Sequence, residues 1–405
     1  MRSTQRTPER NRLGASALIA AALLLAALAF SGCAPTREIS WSPDTKSVVY
    51  QSDDALRIYD VDTRQSRELG GGAANALTPV WSPDGKLIAF YRVGPDEMTL
   101  ALCTVDLSTG RVRTVASNVW RMPKAIADTI EVPPGKSRAE AEGEAQLVWL
   151  LIVEMAASIS WSPDSAHLAW TGSSPRGFTL HMTDCASGAS KPIIEAAGIL
   201  SAVAWSPHGK RLGYALLPWE LPPSSLPGDE ARLREDAQSL WLYDFDSAER
   251  TKICDLPRNG LVSETRLQWS PDSGQIGFIR QSGDGLADGC IVDARPGANV
   301  RPELRGISAT AAWSPDLSGV AFVEDREENE VVVIFRGMKP VTRKVIGVLH
   351  IPAVDIFASP DKAEGEESGL GSRYSMPEFS PDGRYVALRA GEKLSDLRIA
   401  AFPVQ

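Results

Sequence analysis

The chain has 405 residues, 43% of them hydrophobic and 23% charged, with a formal net charge of −9. This composition excludes a chain that is disordered throughout, and the length suits two ordinary domains or one large repeat array. The 28 prolines and 33 glycines are spread along the sequence, as expected where short strands alternate with many turns.

The first 32 residues read as an export signal that is cleaved and takes no part in the fold. Arg2, Arg6, Arg10 and Arg12 form a basic start, an apolar stretch runs from Leu13 to Phe30, and Ser31-Gly32 precede Cys33. Phe30-Ser31-Gly32-Cys33 resembles the lipobox of bacterial lipoproteins, with Phe30 where Leu is usual. The resemblance implies lipidation at Cys33, cleavage on its N-terminal side, and a tether over residues 33–40. Ala34 in place of aspartate implies the outer membrane where an organism has two. An uncleaved membrane anchor is the alternative. Either way the expectation is an exported protein on the cell envelope, on the periplasmic side of the outer membrane or at the cell surface. Removing residues 1–32 takes four arginines and one glutamate from 42 basic and 51 acidic residues, leaving 38 and 50, a formal charge of −12. Such a surface repels nucleic acid, which is excluded as a partner.

One four-residue word then recurs seven times. It is Trp41-Ser42-Pro43-Asp44, Trp81-Ser82-Pro83-Asp84, Trp161-Ser162-Pro163-Asp164, Trp205-Ser206-Pro207-His208, Trp269-Ser270-Pro271-Asp272, Trp313-Ser314-Pro315-Asp316 and Phe379-Ser380-Pro381-Asp382. Seven residues after each leading aromatic stands an aliphatic residue, from Val48 to Val386. Eight after it stands a mostly small one: Val49, Ala89, Ala169, Gly213, Gly277, Ala321 and Ala387. Nine after it stands an aromatic in six copies, with Leu388 in the last. Proline stops a strand because it cannot donate to a ladder, and Asp with Gly or another small residue supports a reversal. The large-small-large alternation then places two bulky side chains on one face of a strand and lets a neighbouring sheet approach the other. A second turn signal ends an apolar strand near Asp62, Asp106, Asp184, Asp246 and Asp293. Each repeat therefore reads as four antiparallel strands, A to D, with the recurring word at the A–B turn and the second signal at the C–D turn. Four-stranded units repeated radially make a β-propeller, here of about seven blades over residues 36–405.

The run Trp81–Phe90 resembles the hallmark of the TolB-like, WD-repeat-related bacterial propellers. The resemblance covers practically all of the sequence after the signal and implies the fold more than the function. TolB of the Tol system carries an α/β domain ahead of its propeller. Only residues 34–40 precede the first repeat here, so the expectation is a TolB-like propeller and not TolB itself.

Spacings of 80, 64 and 66 residues between successive aromatics, against 40 to 44 elsewhere, place insertions near 118–157, 217–237 and 352–375. These are D–A, B–C and D–A connections, so alternation of strand direction puts all three on one face, where the tether also leaves. Loops on a rigid scaffold carry binding residues, so that face is the expected functional surface. The apolar stretch Leu147–Val153 is too short to span a bilayer. It reads as an element packed over the propeller, or as a docking patch. The last repeat supplies strands A, B (Arg384–Ala390) and C (Leu397–Val404), so a three-stranded last blade is expected.

Little in the sequence points to chemistry. His167, His181, His208 and His350 fall in different blades, no nucleophile elbow occurs, and Cys103, Cys185, Cys254 and Cys290 lack metal-ligand spacing, leaving either one or two disulfides or buried thiols. Pro134-Gly135-Lys136-Ser137 imitates the end of a phosphate loop, but Ile130 stands where its first glycine belongs. The acidic run Glu324–Glu330 reads as a solvated hairpin tip. No catalytic, metal or cofactor residues are assigned, and ligand-binding residues are left open. The expected function is a non-catalytic envelope lipoprotein that binds a protein or peptide on its loop-decorated face. The alternatives are a polysaccharide lyase or hydrolase with carboxylates in a central funnel, or a small-molecule sensor.

Overall fold

In the computed structural model the described residues lie between Ile39 and Ala401. Residues 1–38, 118–131, 144–155, 221–231, 234–237, 257–265, 337–344, 350–376, 391–395 and 402–405, with several stretches of one to five residues, fall outside them. Cys33, His350, the segment Leu147–Val153 and most of the three insertions are therefore outside the described residues.

The protein is an all-β propeller built of four-stranded antiparallel meanders. The first sheet comprises Ile39–Trp41, Ser47–Ser52, Ala55–Asp60 and Gln65–Glu68. The second comprises Ala76–Trp81, Leu87–Val93, Leu100–Asp106 and Val112–Ala116, and the third Ile159–Trp161, His167–Ser174, Gly177–Asp184 and Ser190–Ala196. In the fourth, Gly198–Trp205, Arg211–Glu220, Ser239–Asp244 and Arg250–Asp255 are joined by Arg232–Leu233, which pairs with the far end of strand B. The fifth comprises Gln268–Trp269, Gln275–Gly283, Leu286–Asp293 and Arg301–Ser308, and the sixth Ala312–Trp313, Gly319–Arg326, Asn329–Arg336 and Val345–Leu349. The seventh has three described strands, Glu378–Phe379, Tyr385–Ala390 and Asp396–Ala401. Among the described residues five sheets are thus four-stranded and the last has three strands, as expected, while the fifth strand of the fourth sheet departs from the four-stranded expectation.

The recurring word builds one turn seven times. In six copies the Ser Oγ donates to Asp Oδ1, as from Ser42 to Asp44 at 2.6 Å, and the same Oδ1 accepts the backbone N–H two residues on. The Ser Oγ in turn accepts the N–H five residues on, from Ser47 in the first copy. His208 removes the carboxylate from the fourth copy, where Ser206 still accepts the Arg211 N–H. The residue after Asp or His adopts positive φ in every copy; it is Gly85, Gly209 or Gly383 in three, and Thr45, Ser165, Ser273 or Leu317 in the others. The C–D turns close on Asp60, Asp106, Asp184, Asp244 and Asp293. Asp60 and Asp244, not Asp62 and Asp246, end their strands and accept the turn N–H groups of Thr63 and Ser247, which moves two of the predicted turns back by two residues.

Packing between sheets follows the alternation read from the sequence. Val49, Ala89, Ala169, Ala321 and Ala387 are fully buried, and a Cβ added to Gly213 or Gly277 would press on Trp269 or Trp313 of the next sheet. Four tryptophan indoles also stitch across sheets: Trp41 Nε1 donates to the Glu378 carbonyl, Trp161 to Val80, Trp269 to Ala204 and Trp313 to Phe278. Of the leading aromatics, Trp41, Trp161, Trp269, Trp313 and Phe379 are buried, whereas Trp81 and Trp205 are half-buried.

Contacts between A–B turns put those turns on one rim. The Ser165 Oγ accepts the Asp84 N–H, the Ser273 Oγ accepts the His208 N–H, and the Thr45 hydroxyl donates to Asp382 at 3.4 Å. B–C and D–A connections therefore leave from the opposite rim. Strand B of the fourth sheet runs to Glu220, four residues into the expected insertion, and the last described strand, Asp396–Ala401, begins one residue before the expected Leu397. Strands 319–326 and 329–336 pair up to Arg326 and Asn329, so the acidic run does form a hairpin tip.

Candidate functional site: the central channel

The A strands contact one another from the first sheet to the fifth, strand B of the fifth contacts the A strand of the sixth, and the A strand of the seventh contacts those of the sixth and the first. Their alternate side chains enclose an axial cavity of about 510 Å³ to which all seven A strands contribute. At the position before the leading aromatic stand Ser40, Val80, Ser160, Ala204, Gln268, Ala312 and Glu378, and all seven line it. At the position three before stand Thr78, Ser158, Ala202 and Arg266. Small side chains here keep the channel open.

Several of these groups fix neighbouring strands. The Ser40 Oγ accepts the Trp81 N–H at 3.1 Å, and the Ser160 Oγ accepts the Trp205 N–H at 2.9 Å. Gln268 Nε2 donates to the Pro315 carbonyl. Among the described residues the lining holds one ion pair, Arg266 of the fifth sheet with Glu378 of the seventh. Those sheets are not adjacent, so the pair bridges past the first strand of the sixth.

The second and fourth sheets share a distortion. Thr78 (φ 53°) and Ala202 (φ 54°) lie in the left-handed region at bulges between Leu77 and Val80 and between Ser201 and Ala204. A β-branched residue there is strained, and bulges of this kind re-aim side chains next to sites. Thr78 is 4% exposed and lines the channel, and its Oγ1 has no hydrogen-bond partner among the described residues. Beside it, the fully buried Tyr91 hydroxyl donates to the carbonyls of Ser158 and Thr171, and burial raises its pKa.

The predicted chemical candidates lie apart from this lining. His167 stands 3.9 Å from Asp184, and His181 stacks on Trp170 at 4.2 Å, where burial pushes its pKa down to about 4. The four described cysteines are free thiols; burial raises all four, Cys185 and Cys254 to about 11 and Cys290 to about 12. Ser137 heads a helix described over 138–143, its Oγ accepting the Glu140 N–H while Glu140 accepts the Ser137 N–H. The phosphate-loop likeness is thus a helix cap. Among the described residues no three His, Cys, Asp or Glu side chains gather in metal-binding reach.

Arg266, Glu378, Gln268 and Thr78 were not singled out in the sequence. The signal was present: one and three residues before each aromatic, a strand leaving the core must face the axis.

No family model and no curated protein matches the chain. Among solved structures, oligogalacturonate lyase of Vibrio parahaemolyticus is similar at a TM-score of 0.54, with 14% identity over 92% of this chain and 90% of that one. Hydrazine synthase of Kuenenia stuttgartiensis is similar at 0.52, with 14% identity over 92% and 97%. TolB of Acinetobacter baumannii is 17% identical over 82% of this chain and 68% of that one, at 0.43. The neighbours thus include TolB-like propellers at low identity, and what the likeness shows for this chain is the β-propeller fold.

Proposed function

We propose that the chain is a closed seven-bladed propeller, lipidated at Cys33 and held at the cell envelope, that binds an extended peptide or protein segment without catalysing a reaction. The binding surface is the insertion-bearing rim and the channel mouth it surrounds. The observation that carries this reading is the axial cavity of about 510 Å³, whose lining combines short side chains with Trp41, Trp81, Trp161 and Trp313 and holds, among the described residues, one ion pair and an unbonded Thr78 hydroxyl. Such a lining suits recognition by shape and a few polar contacts. Ile39 begins the first A strand at the insertion-bearing rim, so a lipid tether over residues 33–38 holds that rim towards the membrane and its partners.

A photoreactive residue in place of Ser158, which lines the channel towards the insertion-bearing rim, compared with one in place of Lys86 on the turn rim, tests this in intact envelopes. The Ser158 probe is expected to give a discrete protein adduct and the Lys86 probe none. Adducts from Lys86 alone, or none from Ser158, contradict it.

The convergence of Arg266 and Glu378 on the axis favours a second reading, a polysaccharide lyase or hydrolase. Release of unsaturated oligosaccharides from a polyuronate by the wild type, and not by Glu378→Gln, would establish that reading in place of the first.

A further inference from the structure

The interface between the second and third sheets holds a groove of about 550 Å³ that shares no lining residue with the channel. It opens beside the C–D turns, and its origin is visible in the repeat. Each interface has two filling positions: the first residue of strand B, and the residue after the turn Asp of the next sheet. Between the third and fourth sheets these are His167, stacked on Trp205, and Phe245, stacked on the same indole at 4.7 Å. Between the fourth and fifth, Ala294 is small, but the Arg211 guanidinium crosses the gap and donates to the carbonyls of Ala294 and Ser273. Between the second and third they are Leu87 and Cys185, neither of which spans the space.

What lines the space is amphipathic. Leu87, Val115, Leu168 and Cys185 form an apolar floor, and Arg111 and Arg113 stand at the rim. Both arginines are exposed, and among the described residues neither guanidinium has an ion pair or hydrogen bond. The Arg113 guanidinium lies over Gly188, where a Cβ would collide with it. Oδ1 of the neighbouring Asp106 carboxylate accepts the hydroxyls and N–H groups of Ser108 and Thr109 in its own turn. Two unpaired cations above a vacant apolar floor are a local exception on an acidic protein, and they define what complements them.

We propose that this groove binds a small amphipathic organic anion, with an aromatic or alkyl body on the Leu87–Leu168–Cys185 floor and a carboxylate or sulfonate held by Arg111 and Arg113. The site is independent of the channel and of any partner bound there.

The probe is 1-anilinonaphthalene-8-sulfonate, an aromatic sulfonate, titrated by fluorescence into the full-length protein. Saturable binding at one site per chain is expected. Arg111→Gln/Arg113→Gln should weaken it about tenfold or more by removing charge-assisted hydrogen bonds, with an unchanged melting temperature because both side chains are exposed. Cys185→Leu places in the groove the residue that Leu107 supplies at the equivalent position of the second sheet, and should abolish binding; Cys185→Phe, after Phe245, is the second filler. Absence of saturable binding to the wild type overturns the proposal. So does equal binding by all variants, which places the dye elsewhere, or loss in the arginine variant with none in either filler, which leaves an ion site without a seat for the apolar body.

Discussion

The smallest unit that explains this molecule is the turn serine. Ser270 Oγ donates to Asp272 at 2.6 Å and accepts the Gln275 N–H at 2.8 Å, so it serves the carboxylate and the strand that follows. Ser206 makes only the second bond, because His208 supplies no carboxylate. Ser270→Ala should therefore cost about 1–3 kcal/mol and Ser206→Ala distinctly less; urea unfolding of the two variants side by side checks this. The same geometry sets an acid dependence. Hydrogen bonds from Ser and the turn N–H groups hold Asp44, Asp164 and Asp272 below their ordinary 3.8, as those from Thr63 and Ser187 hold Asp60 and Asp184. A depressed folded-state value means stability that is complete above the unfolded value and lost as pH falls through the folded one. Burial that lowers His181 to about 4 adds a shallower loss that begins as pH falls below about 6, so melting temperature should decline gently from there and steeply below about pH 4; a curve flat down to about pH 3 would contradict the carboxylate geometry. The A–B turns were legible because proline and aspartate each have one physical use there. The choice between Asp60 and Asp62, or Asp244 and Asp246, was not, because a carboxylate stands at both positions and only the strand pairing decides which one ends the ladder.

At the scale of the strand and sheet, the small residue between two bulky ones sets how closely the blades nest. A Cβ at Gly277 would lie 2.6 Å from Leu317 Cδ2 and 3.0 Å from Trp313 Cγ, whereas at Gly213 the nearest atom is 3.3 Å away. Gly277→Ala should destabilise by about 1–3 kcal/mol through overpacking, and Gly213→Ala by less. Equal melting temperatures for the two variants would contradict the nesting. This layer was readable from a periodicity of two, since Val49, Ala89 and Ala169 are buried where that period puts them. The bulges at Thr78 and Ala202 were not readable, because neither residue type marks a positive φ. The groove above Leu87 and Cys185 was equally silent, since it arises from a leucine and a cysteine that meet across an interface without spanning it, and neither is unusual alone.

For the whole molecule, seven similar units make a channel only if the last meets the first. The structure brings them together through the Trp41 indole donating to the Glu378 carbonyl, Trp41 stacking on Tyr385 at 5.8 Å, and Thr45 reaching Asp382. The sequence announced the repeat but gave no sign of how the ends join, because that junction uses ordinary repeat positions. It showed where the insertions lie by spacing alone. It did not display Arg266 and Glu378 as a pair, because 112 positions separate them in the chain and only radial closure brings them to one axis. The binding function proposed here depends on that closure. The most direct test is a double substitution, Thr45→Cys with Asp382→Cys, oxidised under native conditions at low protein concentration. A closed ring predicts rapid formation of an intramolecular disulfide in the monomer, seen as a faster band on a non-reducing gel that neither single variant gives. No cross-link, or cross-linking only between molecules, would contradict it.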